Sequence, residues 1–292
     1  AKDDVARVEV SLGFDPGAHP PQDYAELAEM ADGFERAGAR APERAPGLRW
    51  TMVDEAVVFQ TEREVMAPFT ELTRRVDVAE GISLMADYLG GRRVPVSADA
   101  DGRPLWQAER NIYLPQPNWV TAWGGLPIDV CKIELVERDP GRHRLSWRTV
   151  RSPNGSATYD DGSLTFEDTG RGTTVLRVAG RQLFALPAAW SAEGLALVPE
   201  VREPLVTESY RRFFAVTFDN LEACYEGRPF RVGRAPDGPD TALVTAVVRD
   251  LLAMGREGLG APPENPRGRR SGGRPAPGDV DARGFAHFRG TR

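Results

Sequence analysis

Three polar residues stand on strand faces that are otherwise apolar, and these residues could carry acid–base chemistry. They are Glu55 in a predicted strand 51–60, Arg110 in a predicted strand 105–114 and Gln182 in a predicted strand 173–186. Side chains alternate between the two faces of a strand, so apolar neighbours at every second position predict that all three point inward. Glu55 would then give or take a proton, Arg110 would stabilise an oxyanion, and either Gln182 or Tyr210, on the predicted helix, would orient a ligand.

A purely structural role for the same residues is the competing interpretation. A buried carboxylate and a buried guanidinium need a partner or a water-filled cavity. Glu55 and Arg110 would therefore form a closed ion pair away from any ligand, unless one face is assigned wrongly. The sequence leaves both interpretations open.

Aromatic side chains are a second indication of a ligand site. Trp119 and Trp123 lie in a segment with glycine and flanking prolines, and two tryptophans in a loop favour the mouth of a pocket. Core packing explains most other aromatic residues equally well. The remaining candidates for ligand contact lie on predicted strands or on a predicted helix: Trp147, Phe184, Tyr210, Phe213 and Thr217.

The sequence lacks the residue patterns that mark other kinds of catalytic centre. The histidines His19, His143 and His287 show no metal-binding spacing, and no cysteine pair has zinc-finger spacing, so no metal site is predicted. Cys131 and Cys224 read as two buried free thiols. No nucleophile elbow, phosphate-binding loop or dinucleotide motif is present, so no cofactor is predicted.

Composition narrows the class of protein. The chain has 292 residues, 41% of them hydrophobic, and a net charge of −6. These values indicate one large domain with a real core and disfavour a nucleic-acid partner, which needs a basic face. No apolar run reaches the length of a membrane span and no signal peptide is visible, so we expect a cytoplasmic protein. The sequence does not decide whether it forms a homo-oligomer.

Short alternating runs separated by turns dominate the middle of the chain. The runs cover 105–114, 130–138, 143–150, 163–168 and 173–186, with turn signals at 139–141, 153–155, 160–162 and 168–172. A helix follows over 203–225, and residues at steps of three and four give it an apolar stripe. The pattern predicts an α+β fold in which an antiparallel sheet wraps around one long C-terminal helix.

The flanking regions are predicted as additions to this domain. Residues 1–48 read as an N-terminal extension with one helix over 23–37, and the main domain covers 49–227. Residues 62–89 are helical in composition. Residues 228–260 contain an amphipathic helix over 241–254, and 261–292 form a disordered basic tail.

The order of these elements resembles the helix-grip fold of the SRPBCC superfamily, which includes START-type lipid carriers, plant pathogenesis-related allergens and polyketide cyclases. The resemblance covers about residues 50–226. It is carried by turn and strand signatures in the segments Ile133–Asp139, Arg144–Arg148, Asp161–Phe166 and Gly172–Val175. It implies a deep apolar cavity between sheet and helix, but a fold does not imply one activity.

Three functions are compatible with such a cavity. The first is a biosynthetic enzyme that holds a hydrophobic molecule, either aromatic or polyketide-like, and promotes its cyclisation, dehydration or related proton transfer without a cofactor. The second is a carrier or sensor of a hydrophobic ligand or lipid. The third is an interaction scaffold that recruits a partner through the helix at 241–254 and the tail.

Overall fold

The computed structural model describes residues 10–85, 88–113, 128–184 and 199–229. These residues form nine strands, three α-helices and two short 3-10 helices. The helices are α1 (Pro21–Arg40), α2 (Phe69–Arg75) and α3 (Pro199–Glu226), and the 3-10 helices are Pro16–Ala18 and Val78–Leu84. The strands are β1 (Glu43–Ala45), β2 (Leu48–Val53), β3 (Ala56–Val65), β4 (Tyr88–Ala98), β5 (Pro104–Tyr113), β6 (Ile128–Asp139), β7 (Arg142–Arg151), β8 (Ala157–Asp168) and β9 (Thr174–Phe184).

All nine strands form one antiparallel sheet in the order β1-β2-β3-β9-β8-β7-β6-β5-β4. Pairing of β3 with β9 joins the first hairpin to the last strand, and β4 to β9 form a continuous meander. The long helix α3 follows the last strand. The predicted helix-grip fold is therefore confirmed.

The face of the sheet that α3 covers, called here the interior face, holds the larger core. Phe214, Phe218 and Leu221 of α3 are buried in one cluster with Phe59 and Trp147 of the sheet. The partly buried Val206, Tyr210, Phe213 and Cys224 pack against the same cluster. The apolar stripe predicted for this helix thus lies on the sheet.

Helix α1 covers the opposite face of the sheet, called here the outer face. Tyr24 and Leu27 of α1 are buried against Ile133 of β6, and the Tyr24 ring stacks on Trp106 at 5.4 Å. Further along the same face, charged side chains of the helix meet arginines of β7: Asp32 pairs with Arg144 and Glu35 with Arg142. The middle of the sheet is therefore buried on both faces, as in a three-layer protein.

Several predicted boundaries differ from those in the structure. Residues 62–89 are helical only in α2 and the 3-10 helix Val78–Leu84, because β3 runs to Val65 and β4 begins at Tyr88. The predicted turn at 160–162 lies inside the continuous strand β8. The segment between α1 and β2, within the predicted N-terminal extension, contains β1. The predicted helix at 241–254 and the tail at 261–292 lie outside the described residues, and the domain boundaries stay predictions.

Among the described residues, no helix combines the length and the apolar character needed to cross a membrane.

Candidate functional site

Arg110 does not face the interior, so the inward orientation predicted from its strand is wrong. Its Nε and Nη2 atoms donate to the two carboxylate oxygens of Asp129 at 2.8 and 2.7 Å. Its Nη1 donates to the Ser11 backbone carbonyl at 3.1 Å, in the segment before α1. Trp106 lies on the same side of β5 as Arg110. Helix α1 covers that side, since the Trp106 ring stacks on Tyr24 of the helix. Because other elements cover both faces of β5, the alternation of apolar and polar residues does not show which face of the strand is the interior face.

Glu55 is not on a strand face at all, which corrects the second catalytic assignment. Asp54 and Glu55 connect β2 to β3 with φ angles of 48° and 66°, as in a two-residue type I′ hairpin turn. Glu55 is exposed there. The predicted strand 51–60 is in fact two strands, so neither a Glu55–Arg110 ion pair nor a shared role at a ligand follows from their positions.

Gln182 faces the interior as predicted, and it belongs to a buried polar cluster centred on Asp160. The Gln182 amide donates to Asp160 Oδ1 at 2.8 Å and accepts a hydrogen bond from the Tyr210 hydroxyl at 2.7 Å. Asp160 Oδ2 accepts from the Tyr113 hydroxyl at 3.0 Å and lies 2.7 Å from Lys132 Nζ. The cluster connects β5, β6, β8, β9 and α3 beneath the helix.

The two tyrosines of the Asp160 cluster are held in their protonated form. Burial, and then the negative charge of Asp160, raises the pKa of Tyr113 well above its usual value. The same two causes raise the pKa of Tyr210. Both hydroxyls therefore act as hydrogen-bond donors rather than bases.

A second polar cluster lies on the neighbouring part of the interior face, beneath the 3-10 helix Val78–Leu84. The Gln107 amide donates to Glu134 Oε2 at 2.6 Å and to the Ala79 carbonyl at 3.3 Å. Glu134 is fully buried; burial, and then the charge of Glu109, raises its pKa well above the usual range. The raised pKa favours the protonated form of Glu134, in which its carboxyl can donate a hydrogen bond to Glu109.

Arg93 of β4 balances the remaining charge of this second cluster. Its Nη2 lies 3.3 Å from Glu109 Oε1, and its Nη1 lies 3.1 Å from Glu80 Oε1 on the 3-10 helix. Burial disfavours the charged guanidinium, but attraction to the nearby glutamates outweighs burial and raises the pKa of Arg93. Arg93 therefore remains a cation with its charge engaged.

Two uncharged interior side chains, Asn111 and Trp147, form no side-chain hydrogen bond at all among the described residues. Asn111 is fully buried, yet neither its Nδ2 nor its Oδ1 is hydrogen-bonded. The buried indole nitrogen of Trp147 is unpaired as well, although Lys132 Nζ lies 5.2 Å from its ring centroid. A buried polar group left unsatisfied costs about 1–3 kcal/mol. Together these atoms offer donors and an acceptor to a molecule on the interior face.

Glycines in two adjacent strands make room for Trp147. Gly162 and Gly180 are opposite each other, and Trp147 lies opposite Gly162 in the next pair of strands. A Cβ on Gly162 would lie 2.9 Å from the Trp147 ring and 2.7 Å from the Ala179 carbonyl. The pair thus forms a groove in the interior face.

Most of the aromatic candidates lie together on the interior side. Phe184 and Phe213 pack against an apolar cluster that includes Tyr113, and the rings of Tyr113 and Phe213 are 6.1 Å apart. Thr217 is buried one turn further along α3 and donates to the Phe213 carbonyl. The cluster also contains Ile128, Val130 and Ala157. Trp119 and Trp123 lie outside the described residues.

Several of these interior side chains are only half-buried. Gln182, Phe184, Tyr210 and Phe213 all retain solvent-exposed surface although they face α3 or the sheet. Solvent therefore reaches this part of the interior face. The partly exposed side chains adjoin the Asp160 cluster and the apolar cluster around Tyr113, the usual combination of groups at a small-molecule site.

Neither cysteine belongs to the Asp160 cluster or to the second polar cluster. Cys131 is buried on the outer face, its thiol donates to the Leu12 carbonyl at 3.4 Å, and burial raises its thiol pKa. Cys224 packs against the interior core. Among the described residues, no group of three or more His, Cys, Asp or Glu side chains is placed to hold a metal ion.

The sequence analysis missed the polar residues that face the interior: Gln107, Glu109, Asn111, Tyr113, Lys132, Glu134 and Asp160. One signal was available, because Lys132 is one of only two lysines in an arginine-rich chain and lies within a strand. A second was β6, whose apolar residues occupy both faces and thereby indicate burial on both sides.

Comparison with known proteins bears on the fold alone. No protein-family model and no curated protein sequence matches the chain. Among solved structures, human StAR-related lipid transfer protein 5 is 14% identical over 70% of this chain and 98% of its own, with a TM-score of 0.46. The Zhui aromatase/cyclase from Streptomyces sp. R1128 is 13% identical over 66% and 99%, with a TM-score of 0.40. The di-domain aromatase/cyclase BexL is 16% identical over 72% and 63%, with a TM-score of 0.40. START proteins and aromatase/cyclases are thus among the solved structures this chain resembles, and the likeness extends to the fold and no further.

Proposed function

We propose that this protein binds a mainly apolar small molecule between α3 and the interior face and promotes a cofactor-independent proton transfer on it. The observation that carries the proposal is the Asn111 amide, which is fully buried with both polar atoms unpaired among the described residues. A ligand oxygen would remove most of the cost of that burial. The half-buried aromatic residues Phe184 and Phe213 would contact the apolar part of the molecule.

Proton donors support an enzyme. Burial and the charge of Glu109 raise the pKa of Glu134 and favour its protonated form, and the raised pKa values of Tyr113 and Tyr210 keep their hydroxyls protonated. A carbonyl that approaches such donors becomes easier to enolise or attack, which is the chemistry of cyclisation and dehydration. Gln182 would keep its predicted orienting role through Tyr210.

Carriage without reaction is the second candidate, and a specific observation favours it. The Tyr113 and Tyr210 hydroxyls and the Lys132 ammonium already have partners within the protein. Polar side chains whose hydrogen bonds are already made within the protein can surround a ligand without transferring a proton to it. The choice therefore depends on the fate of the bound molecule.

Native mass spectrometry of the purified full chain tests binding. We expect a discrete mass excess that denaturing extraction releases as a small molecule. Substitution Tyr210→Phe should reduce the bound fraction, whereas Tyr225→Phe is the matched control, since its hydroxyl contacts Glu71 near the exposed end of α3. A protein that binds nothing from extracts of its source cells would refute the proposal.

Incubation of the extracted molecule with fresh protein separates the two candidates. Conversion that is lost in Glu134→Gln and kept in Glu137→Gln, on the same strand, would establish the enzyme. Recovery of the molecule unchanged would establish the carrier. The predicted cytoplasmic location, lack of a nucleic-acid partner and open oligomeric state stay predictions.

A further inference from the structure

The charges on the interior face are already matched to one another. Lys132 is paired with Asp160, and Arg93 with Glu109. The other basic side chains on this face are paired as well: Arg44 with Glu203, Arg63 with Asp219 and Arg138 with Asp77. An anionic group that entered this part of the protein would find no unengaged cation among the described residues.

A cationic group would meet the opposite obstacle. The two carboxyl groups of Glu109 and Glu134 are both almost fully buried, and one of them needs a proton if both are to remain there. With Glu134 protonated, the charges of Lys132 and Arg93 are balanced by Asp160 and Glu109. Binding of an ammonium would have to disturb that balance or expel the proton from Glu134.

Among the described residues, Asn111 and Trp147 are the uncharged interior side chains that form no hydrogen bond of their own. Gln107 Oε1, Glu109 Oε2, Glu134 Oε1, Arg44 Nε and Arg93 Nε also lack a partner, but other atoms of these side chains are already bonded or paired. Asn111 offers one amide donor and one carbonyl acceptor, and Trp147 offers an indole donor. Asn111 lies between Glu109 and Tyr113 on the same face of β5. Trp147 is opposite Glu134 in the sheet. Both therefore border the two polar clusters without belonging to either hydrogen-bond network.

We propose that the polar end of the ligand is an uncharged hydroxyl or carbonyl group that binds the Asn111 amide. Fatty acids, phospholipids and amines are thereby disfavoured as ligands, and neutral alcohols, ketones and related molecules are favoured. The inference rests on the proposed binding function and specifies its ligand class.

Three probes with the same chain and different end groups test this inference: decanol, decanoate and decylammonium. Each is titrated at neutral pH, below its micelle concentration, into full-length protein labelled with nitrogen-15. The readout is the side-chain amide signal of Asn111, assigned by its loss in Asn111→Leu, together with the backbone amide signals, which report binding in variants as well. We expect decanol to shift this signal and to bind about ten-fold or more tightly than either ion, since an unpaired charge is costly to bury.

The outcomes separate the inference from the function on which it rests. Equal or tighter binding of decanoate or decylammonium would overturn the inference and leave ligand binding intact. Failure of all three probes to move the Asn111 signal or any backbone amide signal would refute both. The ranking is measured on the wild-type protein, so it does not depend on any variant folding.

A variant of Asn111 then locates the polar contact. Asn111→Leu keeps the branching of the side chain beyond Cβ and should weaken decanol binding by about ten-fold, because the hydrogen bonds to the ligand are lost. Asn154→Ala, in the turn between β7 and β8, is the control and should leave the affinity unchanged. Unaltered decanol binding in Asn111→Leu would contradict the assigned contact.

Discussion

Lys132 and Asp160 form an ion pair in the interior of the protein, with Lys132 Nζ 2.7 Å from Asp160 Oδ2. The two side chains are 1% and 3% exposed. They come from β6 and β8, and the intervening strand β7 places Trp147 beneath the lysine, 5.2 Å from its ammonium to the ring centroid. The pair therefore connects strands that are not neighbours.

Loss of the lysine charge should destabilise the protein strongly. In Lys132→Met, Asp160 keeps a buried negative charge without its cation, and we expect the free energy of unfolding to fall by about 3–5 kcal/mol. Arg211→Ala, which breaks an exposed pair with Glu208, is the control and should cost less than about 1 kcal/mol. Urea denaturation measures both. Equal losses would mean that the interior pair contributes no more than a surface pair.

Glu134 should make stability depend on pH. An unfolded glutamate loses its proton near a pKa of about 4.3, whereas burial and the charge of Glu109 raise the folded pKa of Glu134. From about pH 4.3 up to the folded pKa, the folded state holds a proton that the unfolded state has lost. The free energy of unfolding therefore falls as pH rises, by at most about 1.4 kcal/mol per pH unit from this group.

Substitution of Glu134 checks that contribution. Glu134→Gln keeps the shape and offers a permanent donor to Glu109, so its stability should fall less steeply with pH than that of the wild type. Glu137→Gln, on the same strand and bonded to Arg144, is the control. Denaturant unfolding at a series of pH values gives the slopes. Parallel curves for wild type and Glu134→Gln would show that the group is ionised when folded.

Helix α1 should contribute to the stability of the whole fold. Leu27 is fully buried against the sheet, and Leu27→Ala should lower the free energy of unfolding by about 2–5 kcal/mol. Glu29→Ala, at an exposed position of the same helix, should change it by less than about 0.5 kcal/mol. Denaturation followed by circular dichroism should show one transition. A separate early transition in Leu27→Ala would show instead that α1 unfolds independently of the sheet.

The glycine groove beneath Trp147 should tolerate no side chain. A Cβ on Gly180 would lie 2.4 Å from the Asp161 carbonyl oxygen, so backbone must move in Gly180→Ala, at a cost of about 1–3 kcal/mol. Gly33→Ala is the matched control because no atom lies within 4 Å of its new Cβ in helix α1. That control should gain up to about 1 kcal/mol. Thermal unfolding of the two variants compares them, and a neutral Gly180→Ala would contradict the tight packing.

The fold followed from the sequence because its signals are local. Turn residues such as those at 139–141 and the alternating runs between them define β5 to β9, and the stripe on α3 indicates the face that packs. The strand β4 was not predicted, since its arginines, glycines and Pro95 give no clear alternation. The positions of most strands were thus easier to predict than the face of each strand that points to the interior.

The site was harder to predict because it depends on which face is interior. Gln182 was placed correctly, since β9 has apolar residues on one face and arginines on the other. On β5 the more apolar face is the outer one, where Trp106 meets α1, and the interior face carries Gln107, Glu109 and Asn111. The position of Glu55 was predicted wrongly for another reason. A two-residue turn interrupts the alternation there, and neither of its residues is a glycine or a proline.

The helix α1 acts as an intramolecular ligand of its own sheet. Because it is joined to β1 by a short segment, it competes for the outer face at a high effective concentration, about millimolar for short tethers. A partner that sought the surface around Trp106 and Ile133 would first have to displace a helix that also pairs with Arg142 and Arg144. Exchange of this helix between two chains would preserve every one of these contacts, so domain swapping is the route to association through this face that costs least.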